Sequence, residues 1–91
     1  MSATVRIPTP LRPVTGGNST VRVAGSTVRE VVAELDAAHP GIAERLLGDD
    51  GRIRRFVNVF VDDTDVRFEQ GLDTGVPDGA TVSIIPAVAG G

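Results

Sequence analysis

One long stretch of this chain has the spacing of an amphipathic helix, and alternating segments precede and follow it. The apolar stripe of the predicted helix consists of Val28, Val31, Val32, Leu35 and Ala38. Thr27 and Glu30 form a capping box that predicts the start of the helix, and Pro40 predicts its end near His39. A single apolar stripe has to be buried against another element. Since the other segments have the period of strands, the sequence predicts an α+β fold with the helix packed across one face of a sheet.

The segments with a period of two residues predict the strands of that sheet. They are residues 3–7, 20–23, 55–61, 65–68 and 81–85. The first two form a hairpin around a loop, residues 8–19, that is rich in proline and glycine. We expect the first and last strands to be parallel neighbours at the centre of a mixed sheet of four to five strands. This is the β-grasp, or ubiquitin-like, arrangement, and we assign it to residues 1–86.

Composition excludes several classes of function. A chain of 91 residues is one small domain, and its net charge of -3 disfavours nucleic acid and anionic membranes as partners. The absence of cysteine excludes disulfides, thiolate metal sites and a cysteine nucleophile. The chain also lacks lysine, and it contains neither a signal peptide nor an apolar run long enough to span a membrane. We therefore expect a cytoplasmic protein.

Residue types that could carry catalysis occur without the partners that catalysis needs. His39 stands alone beside the predicted helix end, and the acidic pairs at 49–50 and 62–63 lie in turns, where aspartate usually binds the backbone. No glycine-rich segment matches a phosphate-binding loop, because that motif requires a lysine. We expect neither an enzyme nor a chain that binds a cofactor or metal itself.

The end of the chain offers a different kind of chemistry. After Pro86 the sequence continues as a tail that consists of Ala87, Val88, Ala89, Gly90 and Gly91. Because glycine has no Cβ, such a tail is thin and conformationally free, and a partner enzyme could draw it into a narrow tunnel. We hypothesise that the terminal carboxylate of Gly91 is the reactive group and that partner enzymes bind the domain that carries it. The alternative is a glycine-rich terminus without a function.

An apolar surface could dock such a partner. Val57, Val59 and Val61 share one face of the predicted third strand, so Phe56 and Phe60 lie on the other face together with Ile85. If the valines cover the helix, these three larger residues form an apolar patch on the open side of the sheet, and such patches often mark interaction sites. Alternatively, a loop or the stems of arginine side chains cover them.

The chain resembles the ubiquitin-like sulfur carrier proteins of the ThiS/MoaD family, and within it the carriers of cysteine biosynthesis. The similarity covers nearly the whole chain. The segments that carry it are Ile7-Pro8-Thr9, Leu11-Arg12-Pro13, Arg55-Phe56-Val57-Asn58, Asp65-Val66-Arg67-Phe68 and Pro86 to Gly91. The resemblance implies that an E1-like adenylyltransferase uses ATP and Mg²⁺ to adenylate Gly91, after which a sulfur donor converts it to a thiocarboxylate.

The resemblance also implies the later partners, and it leaves alternatives. In the cysteine branch, the sulfur acceptor is on a pyridoxal phosphate-dependent cysteine synthase, and a metalloprotease releases the product. Other members are the small subunit of molybdopterin synthase or carriers for another thio-metabolite, such as a thiosugar. A ubiquitin-like protein modifier would use the same adenylate, and an interaction module with an inert tail also remains open.

Overall fold

The computed structural model describes residues 2–86, so the predicted tail, residues 87–91, lies outside the described residues. The strands are β1 (Ser2–Arg6), β2 (Thr20–Ala24), β3 (Val57–Val61), β4 (Thr64–Asp65) and β5 (Thr81–Pro86). The helices are α1 (Val28–Ala38) and α2 (Ile42–Leu46). Three 3₁₀ helices complete the elements: Thr9–Thr15, Val66–Phe68 and Gly71–Asp73.

The five strands form one mixed sheet in the order β2-β1-β5-β3-β4. β1 and β2 pair as an antiparallel hairpin, and β1 pairs with β5 in parallel, with Val5 opposite Val82. On its other side β5 pairs with β3 in antiparallel register. The prediction that the first and last strands are parallel neighbours at the centre is confirmed, and so is the β-grasp architecture.

The core lies between the sheet and the helices. The helix contributes Val28, Val31, Val32 and Leu35, all of them buried as predicted. The sheet contributes alternate residues of each long strand: Ala3, Val5, Val23, Val57, Val59, Val61, Val82 and Ile84. The short helix α2 adds Ile42 and Leu46 to the same apolar cluster. The helices therefore cover one face of the sheet. The other face carries the remaining residues of the same strands, which are more exposed.

Two details of the helix differ from the prediction. Ala38 is exposed, so the buried stripe ends at Leu35, because α1 ends at Ala38 and the chain turns away at its cap His39. Thr27 caps the helix as expected, since its hydroxyl accepts the Glu30 N–H at 3.2 Å. The Glu30 carboxylate, however, accepts from the backbone N–H and the hydroxyl of Ser26, the residue before the cap. These two hydrogen bonds lower the pKa of Glu30, and the bond from the backbone N–H has the larger effect.

The segment between β1 and β2 is more ordered than a loop. It forms the 3₁₀ helix Thr9–Thr15, which begins after Pro8, because proline favours the first positions of a helical turn. The hydroxyl of the fully buried Thr15 donates to the carbonyl of Asn18 at 3.0 Å. Gly16 and Gly17 follow with φ values of 66° and 87°, a backbone conformation that glycine adopts without strain.

The fourth strand is shorter than predicted. Residues 65–68 were expected to be a strand, but β4 contains only Thr64–Asp65 and is followed by the 3₁₀ helix Val66–Phe68. The cause is local, because the carboxylate of Asp65 accepts the backbone N–H of Arg67 at 2.9 Å and so caps the turn. β3 likewise begins at Val57 rather than at residue 55, since the Val57 N–H closes a turn onto the Arg54 carbonyl.

Candidate functional site

The end of β5 fixes the point from which the predicted tail continues. Pro86 lies opposite Val57 of β3, and Ile85 lies opposite Asn58. On the other side of β5, Ser83 pairs with Arg6 of β1. Because β5 is bonded to a strand on both sides, its last residue has a defined position at one end of the sheet. Residues 87–91, which contain the predicted reactive Gly91, lie beyond that position and outside the described residues.

The predicted docking residues lie around this end of the sheet. Phe60 is on the open face as predicted, opposite Ser83, but it is only partly exposed. Ile85 is 48% exposed on the same face, and Phe56, which precedes β3, is 55% exposed. Phe56 and Ile85 therefore offer most of the apolar surface, and we refer to Phe56, Phe60 and Ile85 as the docking patch.

Arg67 holds the segment before β3 in place. Its guanidinium donates to the side-chain oxygen of Asn58 at 2.7 Å and to the backbone carbonyl of Val57 at 2.7 Å. It also donates to the carbonyls of Arg54 and Arg55, at 3.0 and 2.9 Å. One planar cation thus joins four acceptors, an arrangement that the guanidinium geometry allows and an ammonium group does not. The turn that presents Phe56 beside the end of β5 depends on this side chain.

We expect Arg67→Ala to destabilise the domain by about 1–2 kcal/mol, because one substitution leaves several backbone and side-chain acceptors without their donor. Urea unfolding followed by circular dichroism measures the change. Arg67→Lys should restore only part of the loss, since a lysine cannot reach all four acceptors. Arg52→Ala is the matched control, because Arg52 is exposed and nearby. Equal stabilities for the Arg67→Ala and Arg52→Ala variants would contradict this role.

Phe68 is an exposed residue that hydrophobic periodicity does not reveal. Its side chain is 85% exposed at the end of the 3₁₀ helix that follows β4. The predicted strand at 65–68 places Phe68 within the sheet, so it gives no indication that the side chain is exposed. Asp65, which caps the turn, is the residue that could have revealed it. Phe68 follows β4 and has no partner in the pairing of β3 with β5, so it is a suitable control for the docking patch.

Within residues 2–86, no group of three or more histidine and acidic side chains is arranged to hold a metal ion. The searched part of the chain also contains no helix that is long and apolar enough to cross a membrane. Several of its aspartates bond to nearby or facing backbone in turns, as with Asp50, which accepts the Arg52 N–H, and Asp62, which accepts the Thr81 N–H. β5 fixes the position of Pro86, from which the segment with the predicted reactive group continues.

Comparison with known proteins identifies the family. The profile of the ThiS family matches residues 5–91, which is almost the entire chain. The chain belongs to the ThiS family. The resemblance to the ubiquitin-like sulfur carriers that was drawn from sequence motifs is thereby confirmed.

Relatives within and around the ThiS family extend this result. The chain is 50% identical over 93 residues to the sulfur carrier protein CysO of Mycobacterium tuberculosis, and the match covers 100% of both chains. CysO of Amycolatopsis orientalis, solved in a complex with BexX, superposes with a TM-score of 0.92 at 48% identity, over 98% of this chain and 99% of that one. Small archaeal modifier protein 3 of Haloferax volcanii is 39% identical over 66 residues, which cover 72% of this chain and 71% of the relative.

Proposed function

We propose that this chain is a sulfur carrier protein that delivers sulfur from a thiocarboxylate at Gly91, most directly for cysteine biosynthesis. The observation that carries the proposal is the similarity over the full length of both chains to a protein named as a sulfur carrier. The fold supports it, because the central strand β5 ends at Pro86 and leads directly into the Gly90-Gly91 tail. The chain would be a protein co-substrate of partner enzymes and would catalyse no step itself.

The proposed chemistry requires activation of the carboxylate, which is a poor electrophile. In the adenylation step, a carboxylate oxygen of Gly91 attacks the α-phosphorus of ATP, an acyl-adenylate forms and pyrophosphate leaves. A sulfide-level donor then attacks the carbonyl carbon, AMP leaves, and a thiocarboxylate remains. Thioacids are largely ionised near neutral pH, so the sulfur can act as a nucleophile without a general base from this chain.

In this proposal the partners hold every cofactor. ATP and Mg²⁺ belong to an E1-like adenylyltransferase, and pyridoxal phosphate belongs to a cysteine synthase that accepts the sulfur. A metalloprotease would then release the product from the carrier. A cytoplasmic location is part of the proposal, since ATP is available there. The complex of the Amycolatopsis orientalis CysO with BexX supports a function based on partner proteins.

An intact-protein mass spectrum tests the proposal. The chain purified from its native cells, or incubated with ATP, sulfide and its activating enzyme, should gain the mass of one oxygen-to-sulfur exchange. An added cysteine residue would identify cysteine biosynthesis as the pathway. A chain that stays unmodified with the activating enzyme present would contradict the sulfur carrier function.

A second candidate function is protein modification, in which Gly91 joins the amines of target proteins. The identity of 39% to a small archaeal modifier protein supports this second candidate. The two functions share the acyl-adenylate and differ in the nucleophile that ends the reaction. Conjugates of higher mass that contain this chain in a cell extract, and the absence of a thiocarboxylate form, would favour the modifier.

The docking patch provides a third test, on recognition rather than chemistry. We expect Phe56→Ala together with Ile85→Ala to raise the KM of adenylation by roughly tenfold with kcat unchanged, because exposed aromatic and aliphatic anchors carry much of the energy at interfaces. Phe60 is left intact, since it is partly buried and its truncation would also disturb the sheet.

Phe68→Ala is the matched control for the docking patch, because it removes an even more exposed phenylalanine at a different place. Its KM should equal that of the unmodified chain. Pyrophosphate exchange by the activating enzyme measures both constants at varied carrier concentration. Equal KM values for the double variant and for Phe68→Ala would show that the docking patch is not used.

A further inference from the structure

Positive charge is concentrated in the first third of the chain. Residues 1–29 contain four arginines and no acidic residue, although the whole chain has a net charge of -3. These residues form the β1–β2 hairpin, its connecting 3₁₀ helix and the start of α1. A basic region on an otherwise acidic protein indicates a site for an anionic partner rather than a general property of the surface.

A groove beside the end of β5 presents two of these arginines. It lies between the 3₁₀ helix Thr9–Thr15 and the last residues of β5, and its volume is about 670 Å³. Its walls include Arg6, Pro8, Arg12, Ser83, Ile85 and Pro86. No aspartate or glutamate is among the residues that line it. We call it the arginine groove.

The guanidinium groups of the arginine groove are available to a ligand. Arg12 is anchored, because its Nε donates to the Ile7 carbonyl at 3.2 Å, which leaves the two terminal nitrogens of its fork. Arg6 is exposed at the end of β1. In the described part of the chain the one ion pair joins Arg29 and Asp73, so neither arginine of the groove has a carboxylate partner there. Two arginines that line one groove, with no carboxylate partner among the described residues, favour binding of an acidic group.

The position of the groove identifies what binds it. Ile85 and Pro86 line it, so the groove borders the start of the tail that an activating enzyme would hold. Pro8 and Ile85 give the groove apolar walls, and such walls can contact apolar side chains of a protein partner. Arginine forks bind carboxylates in a bidentate geometry, and a partly desolvated setting strengthens the contact.

We propose that the arginine groove docks an acidic segment of the activating enzyme, with aspartate or glutamate side chains paired to Arg6 and Arg12, while the tail occupies that enzyme's active site. This inference rests on the proposed function and adds the chemistry of the partner surface. The pairing orients the carrier and accelerates encounter, and it takes no part in the acyl transfer. It therefore acts on KM and leaves kcat unchanged.

Adenylation kinetics with the cognate activating enzyme test the proposal. We expect Arg6→Gln with Arg12→Gln to raise KM by roughly ten- to hundredfold with kcat unchanged. The KM of the unmodified chain should rise with added sodium chloride, and the KM of the double variant should rise much less, because its charged contacts are already lost. Arg6→Glu alone is the second variant, since it preserves the Arg12 bond to Ile7 and hence the fold of the 3₁₀ helix.

The matched control is Arg29→Gln with Arg45→Gln, which removes the same charge from exposed helix positions away from the groove. A KM that both double variants raise equally, or that neither raises, would overturn the proposal. So would binding of inorganic phosphate or ATP to Arg6 and Arg12 in an NMR titration without the enzyme. Self-association of the unmodified chain through the groove in analytical ultracentrifugation would also overturn it. If the unmodified chain is never adenylated, the proposed function fails instead, so the two failures are distinguishable.

Discussion

We expect deletion of Gly91 to remove every detectable thiocarboxylate that the proposed chemistry would form on this protein. The deletion moves the terminal carboxylate back along the tail by about 3.5 Å, the span of one extended residue. A misplacement of about 1 Å can already cost roughly 10²-fold in rate, because the reacting atoms leave the attack geometry. We therefore expect turnover to fall below detection in an intact-mass assay with ATP, sulfide and the activating enzyme. The fold should be unaffected, since β5 ends at Pro86.

The internal glycine pair provides the control for this deletion. Gly16 and Gly17 lie in a turn with positive φ, so their substitution should affect stability without affecting the reactive carboxylate. We expect Gly17→Ala to lower the thermal midpoint and to leave the kcat of the activating enzyme with the folded variant unchanged. A variant lacking Gly91 that still acquires sulfur would show that the reactive group lies elsewhere in the chain.

The largest effect on stability is expected at Leu35. Its side chain is fully buried at the C-terminal end of the buried stripe of α1, within the apolar core between helices and sheet. Leu35→Ala should lower the free energy of unfolding by about 2–5 kcal/mol, because the cavity is only partly filled by relaxation. A domain of this size has a total stability of roughly 5–15 kcal/mol, so the loss is a large share of it.

Thermal unfolding measures this effect. We expect the midpoint of the Leu35→Ala variant to fall by about 10 °C or more, given the usual relation between free energy and midpoint for small domains. Glu34→Ala is the control at the neighbouring, exposed position, and its free energy of unfolding should change by less than about 0.5 kcal/mol. Similar midpoints for the two variants would contradict the assignment of Leu35 to the core.

Much of the fold could be predicted from periodicity, because burial follows it closely. The valines of β3 alternate along the strand, and the apolar residues of α1 from Val28 to Leu35 recur every three or four positions. Each set is buried. Even the pairing of β1 with β5 was predictable, since a hairpin, one crossing helix and a late strand leave few arrangements for a small sheet.

The errors fall where a side chain bonds to nearby backbone. Asp65 caps a 3₁₀ turn and so ends β4 after two residues, and prolines initiate a 3₁₀ helix in a segment that composition describes as a loop. Hydrophobic periodicity contains no information on such local bonds. The arginine groove was unpredictable for the same reason, because Arg12 lines it from the 3₁₀ helix Thr9–Thr15, a segment that composition describes as a loop.

For the candidate site, the sequence predicted the residues but not their exposure. Alternation placed Phe60 on the open face, and the structure agrees, yet the ring is partly covered. Phe56 and Phe68 precede and follow strands, so alternation says nothing reliable about them, and both are exposed. The role of Arg67 was hidden as well, since its four acceptors come from residues 54–58, which are distant in sequence from the arginine.

The central place of β5 has a consequence for how the chain is made. During synthesis, residues 2–80 emerge before the strand that joins the two halves of the sheet. Until residues 81–86 follow, β1 and β3 each have an unpaired side, and the β1–β2 hairpin is not joined to β3 and β4 through the sheet. The final strand thus completes the domain. A nascent or prematurely terminated chain therefore lacks the folded surface that a partner protein would bind. Folding thus restricts partner binding to chains that have been translated through β5.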